Sequence, residues 1–210
     1  MTVNRLFKTL IIVAAITNLI SCTTEKSEYI IDEQFDTNKL GWVEERTDFH
    51  YLNIRKGEYL IHSLDTSVAR SSTGTMAGRY LYDLPMQYEI TTSVKLVKKN
   101  SNNVSFGLFL YSSTLEYGFT IYSDGEIIVS EYDYNRESSI NLLSKKIKLT
   151  PSDSTDIMIS INDMDFELIV NDISIGTATF RTETSSWRDL RLFTSSGSAI
   201  LVDYLRIKEK

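Results

Sequence analysis

Hydrophobic and polar residues alternate along four consecutive runs between positions 86 and 134. The side chains of a β-strand point to opposite faces in turn, so this period of two predicts strands with one buried face. The first run shows the pattern most clearly, at Tyr88, Ile90, Thr92, Val94 and Leu96. The last two runs are separated by Asp124-Gly125, a pair that favours a tight hairpin because glycine adopts a positive φ without steric cost. The segment therefore predicts a meander of antiparallel strands.

The same alternation recurs before and after this segment, and no stretch shows convincing helical periodicity. The runs predict hairpin arms at residues 48–55 and 58–63, an edge strand with a loop at 67–76, a polar loop at 135–141 and a strand at 146–149. About a dozen strands, spaced by roughly 8 to 12 residues, indicate a sandwich or a barrel. The predicted fold class is all-β.

The composition is compatible with one domain that buries its own core. The chain has 210 residues, of which 42% are hydrophobic and 11% aromatic, with two prolines and nine glycines. These values exclude a low-complexity chain, and no repeat indicates a solenoid or propeller. A single cysteine excludes an intramolecular disulfide, so the core must suffice for stability. The predicted domain covers residues 29–210.

The first 22 residues predict a secretory signal segment. Arg5 and Lys8 precede an apolar run over residues 10–20 that is too short to span a bilayer as a helix. The run ends in Leu19-Ile20-Ser21-Cys22, which resembles the lipobox of bacterial lipoproteins. The resemblance implies that Cys22 is lipidated and becomes the mature N-terminus. The alternative is an ordinary buried cysteine.

The lipobox resemblance also implies a location and a mature charge. Thr23 stands where an aspartate would favour retention, so the predicted location is the outer membrane of a bacterial cell envelope, with residues 23–28 as a polar tether. Removal of residues 1–21 leaves 20 of the 22 lysines and arginines against 28 acidic residues, a net charge of −8. Nucleic acid and anionic lipid call for clustered basic residues and are not predicted partners. A glycan or an envelope protein is the predicted partner.

Several short motifs follow one another along the predicted domain. They are Phe35-Asp36-Thr37-Asn38-Lys39-Leu40-Gly41-Trp42, Gly57-Glu58-Tyr59-Leu60-Ile61, Tyr88-Glu89-Ile90, Phe106-Gly107-Leu108, Tyr117-Gly118-Phe119, Asp124-Gly125, Val170-Asn171-Asp172 and Val202-Asp203-Tyr204-Leu205-Arg206-Ile207. Their order resembles the concanavalin A-like jelly-roll superfamily, in its laminin-G-like and family-16-hydrolase-like branch. The resemblance implies a two-sheet antiparallel jelly-roll sandwich and a carbohydrate-related role in many relatives. Asp172 departs from the family pattern, which has glycine there, but aspartate also tolerates this turn.

The carboxylate spacing does not support catalysis of the family-16 type. Those glycosidases carry Glu-x-Asp-x-x-Glu, or a pattern one residue shorter, whereas Glu137 lies one position too far from Glu131. On a straight strand these two residues would lie roughly 20 Å apart, and a retaining carboxyl pair needs about 5.5 Å. Glu131 and Asp133 share a strand face and are a candidate carboxylate pair. The alternative is that they form the solvated polar end of a strand.

Sugar binding requires exposed aromatic faces beside groups that hydrogen-bond to hydroxyls. Three tyrosines lie on the strand faces opposite to the main hydrophobic positions, and one tryptophan lies in a polar segment predicted to be a loop. The predicted carbohydrate-binding residues are Tyr111, Glu131, Tyr132, Asp133, Tyr134 and Trp187. The alternative for the tyrosines is that they cover the second face of a sheet.

The family resemblance also implies a calcium site where the first and last strands meet, with Glu33 and Asp203 as candidate ligands. The alternative is that Glu33 is solvated and that Asp203 accepts hydrogen bonds from neighbouring backbone. His50 and His62 are isolated in the sequence and are expected at opposed positions of the first hairpin. No other cofactor is indicated.

Three functions are compatible with the sequence. The first is a membrane-anchored envelope lipoprotein with a non-catalytic glycan-binding or adhesion module, which fits the lipobox and the unmatched glutamate spacing. The second is a divergent glycoside hydrolase or lyase, which requires two convergent carboxylates, one of them with a raised pKa. The third is a structural accessory subunit of an envelope complex, which requires an exposed apolar patch.

Overall fold

The structure is a computed structural model of the chain, and it describes residues 29–64, 72–75, 81, 84–99, 104–150, 153–181, 187 and 189–210. The predicted signal segment, Cys22 and the tether lie outside these residues. Across the described ranges, no helix is long and apolar enough to cross a membrane.

Fifteen β-strands occupy most of the described chain. The first eight are β1 (Tyr29–Glu33), β2 (Glu45–Arg46), β3 (His50–Arg55), β4 (Glu58–Ser63), β5 (Ser72–Thr75), β6 (Gln87–Lys98), β7 (Ser105–Tyr111) and β8 (Leu115–Tyr122). The other seven are β9 (Glu126–Asp133), β10 (Ser138–Lys146), β11 (Ser154–Asn162), β12 (Asp165–Val170), β13 (Ile173–Thr179), β14 (Asp189–Thr194) and β15 (Ala199–Glu209). The all-β prediction is confirmed.

The strands form two antiparallel sheets. The larger sheet has nine strands in the order β13-β12-β11-β6-β15-β4-β3-β2, with β1 paired to β15. The smaller sheet has six strands in the order β10-β9-β8-β7-β14-β5. Both sheets contain pairs of strands that are distant in sequence, β6 with β15 and β7 with β14. The predicted two-sheet antiparallel jelly-roll sandwich is therefore confirmed.

The two sheets pack through their apolar faces. The predicted inward positions of β6 are buried up to Val94, and alternate residues of β7, β8 and β9 are buried as well. Phe119 of the smaller sheet meets Phe166 of the larger sheet edge to face, with ring centroids 5.4 Å apart. Burial of a side chain of this size stabilises the fold by about 1.5–3 kcal/mol relative to exposure.

Two hairpin turns and one glycine confirm the predicted turn chemistry. Lys56 and Gly57, between β3 and β4, both have positive φ, at 53° and 77°. Asn171 and Asp172 have φ values of 49° and 61° between β12 and β13, so aspartate does occupy the left-handed position where the family pattern has glycine. Gly125 has a φ of 91°, and a Cβ there would stand 1.9 Å from a backbone carbonyl oxygen of the segment after β10. Only glycine fits the Asp-Gly turn without a backbone shift.

Strand β10 differs from the sequence prediction. The sequence predicts a polar loop at residues 135–141 and a strand at 146–149, whereas Ser138–Lys146 pairs with β9. This strand lies at the edge of the smaller sheet and most of its residues are exposed. A register shift between Asn141 and Leu143 also interrupts the period of two. The prediction was wrong because an exposed, bulged edge strand lacks the hydrophobic alternation that marks a half-buried one.

Candidate functional site

The three predicted tyrosines come together on the outer face of the smaller sheet. Tyr111 of β7 lies opposite Glu116 of β8, and Glu116 lies opposite Tyr132 of β9. Tyr134 follows two residues after Tyr132 and is 50% exposed. The surface also includes Asp189 and Arg191 of β14, described below. We call these six residues the tyrosine face: Tyr111, Glu116, Tyr132, Tyr134, Asp189 and Arg191.

Two tyrosines and one carboxylate form the exposed side of this surface. The rings of Tyr132 and Tyr134 are nearly perpendicular, with centroids 5.0 Å apart. The Tyr134 hydroxyl donates a hydrogen bond of 2.6 Å to Oε2 of Glu116. Partial burial and this neighbouring carboxylate together raise the pKa of Tyr134 to about 12. The phenol therefore remains a neutral hydrogen-bond donor over the physiological pH range.

Residues of β14 form the other side of the tyrosine face. The Arg191 guanidinium lies over the Tyr111 ring, 4.3 Å from its centroid, and Nε of Arg191 donates to Oδ2 of Asp189 at 2.8 Å. The other carboxyl oxygen of Asp189 is buried and accepts no hydrogen bond from the described residues. Burial raises the pKa of Asp189, although its arginine partner opposes the shift. Beside them on the same sheet face, the Phe109 and Phe193 rings stack with centroids 4.4 Å apart.

The two predicted carboxylates point the other way, into the sandwich. Glu131 and Asp133 are 1% and 7% exposed, so neither is the solvated end of a strand. Glu131 forms an ion pair with the Arg181 guanidinium and accepts a hydrogen bond of 2.5 Å from the Tyr117 hydroxyl. The same guanidinium lies 3.2 Å from Oδ2 of Asp133. We call Tyr117, Glu131, Asp133 and Arg181 the inner carboxylate cluster.

The protonation states in this cluster are set by its internal contacts. Hydrogen bonding to Glu131 raises the pKa of Arg181 despite some desolvation. Desolvation alone would raise the pKa of Asp133, but backbone N–H groups of Arg136 and Asn135, together with Arg181, lower it overall. Burial and the hydrogen bond to Glu131 raise the pKa of Tyr117. The cluster therefore pairs two buried carboxylates with an arginine whose side chain is 41% exposed, and its carboxylates do not face the tyrosine face.

Trp187 is also placed differently from the sequence prediction. Its side chain is 0% exposed, and it packs edge to face against Tyr117 and Phe180 at 5.4 and 5.0 Å. An indole enclosed by aromatic rings has no free face for a sugar, so the prediction of an exposed stacking residue was wrong. The polar residues around it in the sequence indicated a surface loop, whereas aromatic side chains from other elements enclose the ring.

The two candidate calcium ligands do not form a group of metal-binding side chains. Glu33 is 3% exposed, and one of its oxygens accepts the N–H of Phe35 at 2.8 Å. Its other oxygen is buried without a hydrogen-bond partner among the described residues, and Asp203 is exposed. Within the described ranges, no three His, Cys, Asp or Glu side chains are grouped to hold a metal ion. A calcium ion here would depend on backbone carbonyl oxygens for most of its ligands.

Five residues of these two sites were not among the predicted site residues: Glu116, Asp189, Arg191, Arg181 and Tyr117, which appeared only in a family motif. Glu116 was detectable in principle, because a short hairpin after Tyr111 places it on the neighbouring strand. Asp189 and Arg191 join through the pairing of β14 with β7, which joins segments far apart in the chain. Arg181 likewise meets Asp133 across 48 positions. No local signal marks such contacts in a single sequence.

Comparison with known proteins identifies proteins of similar fold but no family for this chain. No family model and no curated protein matches the chain. The chain superposes on SCLam, a non-specific endo-β-1,3(4)-glucanase from family GH16, with a TM-score of 0.63 at 11% identity, over 88% of this chain and 92% of that one. The carbohydrate recognition domain of Emp47p matches with a TM-score of 0.59 at 10% identity, over 88% and 96% of the two chains.

A larger protein contains a similar unit. The GH43 protein BlXynB from Bacillus licheniformis matches with a TM-score of 0.59 at 12% identity, over 89% of this chain. The present chain spans 40% of the length of that protein. At such identities the likeness concerns the fold, and it agrees with the jelly-roll sandwich described above.

Proposed function

We propose that the protein is a glycan-binding module and that the tyrosine face is its binding surface. The observation that carries the proposal is the arrangement of Tyr111, Tyr132 and Tyr134 beside ionised and hydrogen-bonding groups on one outer sheet face. Aromatic rings stack on the apolar faces of pyranoses, and carboxylates, phenols and guanidinium groups bind their hydroxyls. The jelly-roll neighbours named as a glucanase and as a carbohydrate recognition domain support the same class of ligand.

The placement of Glu131 and Asp133 favours binding over catalysis. A glycosidase needs two carboxyl groups that reach the same glycosidic bond. These two are enclosed in the inner carboxylate cluster and engaged by Arg181. A glycan on the outer face would therefore meet Glu116 and Asp189 instead.

Those two residues support a second candidate function, a divergent glycoside hydrolase. Glu116 and Asp189 flank Tyr111 on adjacent strands of one face. Strand spacing places their Cα atoms about 10 Å apart, which is compatible with the roughly 6.5–9.5 Å between the carboxyl groups of an inverting pair. The raised pKa of Asp189 is the property required of a general acid.

An oligosaccharide-binding assay tests the first function. The full-length chain is screened against an array that includes β-1,3- and β-1,4-linked gluco-oligosaccharides, and the best ligand is titrated. Replacing the two neighbouring tyrosines of β9 and its following turn, Tyr132→Ala and Tyr134→Ala, is expected to weaken affinity about tenfold through lost ring contacts. Tyr204→Ala on the other sheet is the matched control and is expected to leave affinity unchanged. Equal loss in both variants, or no glycan bound at all, would contradict the proposal.

The same ligand separates binding from hydrolysis. Incubation of the full-length chain with the bound oligosaccharide, followed by product analysis, is expected to show no cleavage. Cleavage that disappears in both Glu116→Gln and Asp189→Asn would instead support the hydrolase.

We further propose that the module is held at the bacterial outer membrane by a lipid on Cys22. The lipobox resemblance supports this, and a multiply acylated terminus anchors stably because each buried methylene contributes about 0.8 kcal/mol. Metabolic labelling with a fatty acid should mark the wild-type chain and not Cys22→Ser. Label that persists in the variant would exclude the anchor.

A further inference from the structure

A row of polar and cationic side chains crosses the larger sheet on its outer face. Strands β2, β3, β4, β15 and β6 lie side by side, and their registers align one residue from each strand. The aligned residues are Arg46, Tyr51, His62, Ala199 and Lys98. Five neighbouring strands span about 19 Å at a spacing of roughly 4.8 Å. We call this alignment the cationic row.

A β-bulge brings Lys98 into the row. Inward positions of β6 include Val94 and Leu96, so a strict period of two would also turn Lys98 inward. The register between β15 and β6 shifts between Ala199 and Ile200, and such a bulge re-aims the side chain beside it. As a result, Nζ of Lys98 lies 3.2 Å from Nε2 of His62. Ala199, which lies between them in the row, has a small side chain that is 3% exposed.

The two cations of the row are not paired with carboxylates of the described residues. In the described part of the chain, Arg46 and Lys98 form no ion pair, and Arg46 lies 5.5 Å from the Tyr51 ring centroid. Of the two neighbouring carboxylates, Glu45 lies opposite inward-facing Leu52 and binds His50 at 2.7 Å, and Glu44 accepts hydrogen bonds from Asn53 and from the Ile54 N–H. Burial, Lys98 and Arg46 all lower the pKa of His62. Positive potential is therefore concentrated here, in a chain with a net charge of −6.

We propose that the cationic row binds an anionic polysaccharide, with Arg46 and Lys98 holding successive sulfate or carboxylate groups and Tyr51 contacting a sugar ring. A straight row of spaced cations matches a linear polyanion, whose charges repeat along its length. The exposed part of the Tyr51 ring adds an apolar contact that inorganic anions do not use. A flat anionic membrane would also meet the net negative charge of the rest of the protein, which disfavours that partner.

The test uses the full-length chain and dextran sulfate, with uncharged dextran, inorganic sulfate and phosphatidylglycerol vesicles as the other arms. The double variant Arg46→Gln with Lys98→Gln is expected to bind dextran sulfate about tenfold more weakly, since two exposed ion pairs are lost. Lys39→Gln with Lys148→Gln removes the same charge outside the row and is expected to change affinity less than twofold. Both doubles alter exposed side chains only.

His62 provides a direct readout in the unmodified protein. The chain has two histidines, so their imidazole resonances are separable by NMR, and His50 serves as the internal reference. Dextran sulfate is expected to raise the pKa of His62 by adding negative charge beside it, and to leave the His50 imidazole chemical shifts nearly unchanged. The charged or titratable groups of the row beside His62 are Arg46, Lys98 and the Tyr51 phenol.

Four results would overturn the proposal. They are equal weakening in the two double variants, an unchanged His62 pKa, equal binding of uncharged dextran, and row-dependent binding to vesicles without binding to dextran sulfate.

This site is independent of the tyrosine face. Tyr132→Ala with Tyr134→Ala should leave dextran sulfate binding intact, so failure of one proposal is distinguishable from failure of the other.

Discussion

Four successive residues, the last three of β9 and the one that follows it, belong to two different environments. Glu131 and Asp133 are buried and pair with the partly exposed Arg181 side chain, while Tyr132 and Tyr134 lie on the outer face beside Glu116. Their proximity in sequence indicates one site, but the period of two divides them between the core and the surface. Residues close together on a strand can therefore belong to one surface site only when an even number of positions separates them, so that they face the same side of the sheet.

The two environments also stabilise charge differently. In the inner carboxylate cluster, Glu131 is withdrawn from water and depends on Arg181 and the Tyr117 hydroxyl. On the tyrosine face, Glu116 is half-buried, so it keeps contact with water while it accepts the Tyr134 hydrogen bond. Changes in the cluster should therefore alter stability, and changes on the tyrosine face should alter ligand affinity.

The largest expected effect is the loss of the ion pair between the buried Glu131 carboxylate and the partly exposed Arg181 side chain. Arg181→Met leaves the Glu131 carboxylate enclosed without its cation, and we expect the free energy of unfolding to fall by about 2–3 kcal/mol. Urea denaturation at pH 7 measures the change. Oligosaccharide affinity of the folded variant should stay within twofold of the wild type.

The matched control is Lys146→Met, which removes an exposed ion pair with Asp124. This change should cost at most about 1 kcal/mol. If both variants lost the same stability, the inner carboxylate cluster would be no more important than a surface pair.

A smaller effect is expected at Tyr134 on the opposite face. Glu116→Gln removes the negative charge that receives the phenol hydrogen bond, so the pKa of Tyr134 should fall from about 12 towards 10, and partial burial should keep it above that value. NMR titration of ¹³Cζ-labelled tyrosine measures the pKa, and the resonance is assigned by its absence in Tyr134→Phe. Stability should be nearly unchanged, whereas a fall as large as that of Arg181→Met would remove the distinction between the two faces.

The smallest effect concerns acid stability. The pKa of Asp133 is lowered in the folded protein, so its contribution to stability is complete above its ordinary pKa and is lost as pH falls through the folded value. Asp133→Asn should therefore reduce stability at pH 7, and the difference from the wild type should shrink below about pH 4. A difference that is constant with pH would show that ionisation of Asp133 does not contribute.

Most of the fold was predictable from the sequence because half-buried strands carry a visible alternation. Strand β6 and the turns at Lys56-Gly57 and Asp124-Gly125 follow directly from local rules. Strand β10 did not, because its exposed residues and its register shift remove the pattern. Strands β7 and β14 pair although they are far apart in the sequence. Such pairing depends on packing across the whole sandwich and not on local composition.

The candidate site was predictable in part. The orientation of Tyr111, Tyr132 and Tyr134 follows from strand parity, and the structure brings them together. Burial of Glu131 was not predictable, since it requires the Arg181 guanidinium from a segment 50 positions away. The enclosure of Trp187 depends equally on tertiary packing with Phe180 and Tyr117.

The burial of both tryptophans has a practical consequence for spectroscopy. Trp42 packs against Phe35 and Tyr59, and Trp187 packs in the aromatic group around Phe180. Since the chain has two tryptophans, its indole fluorescence originates wholly from inside the sandwich. A red shift in emission should report loosening of the core, while ligands on either outer face should change tyrosine signals and leave the indole emission maximum where it is.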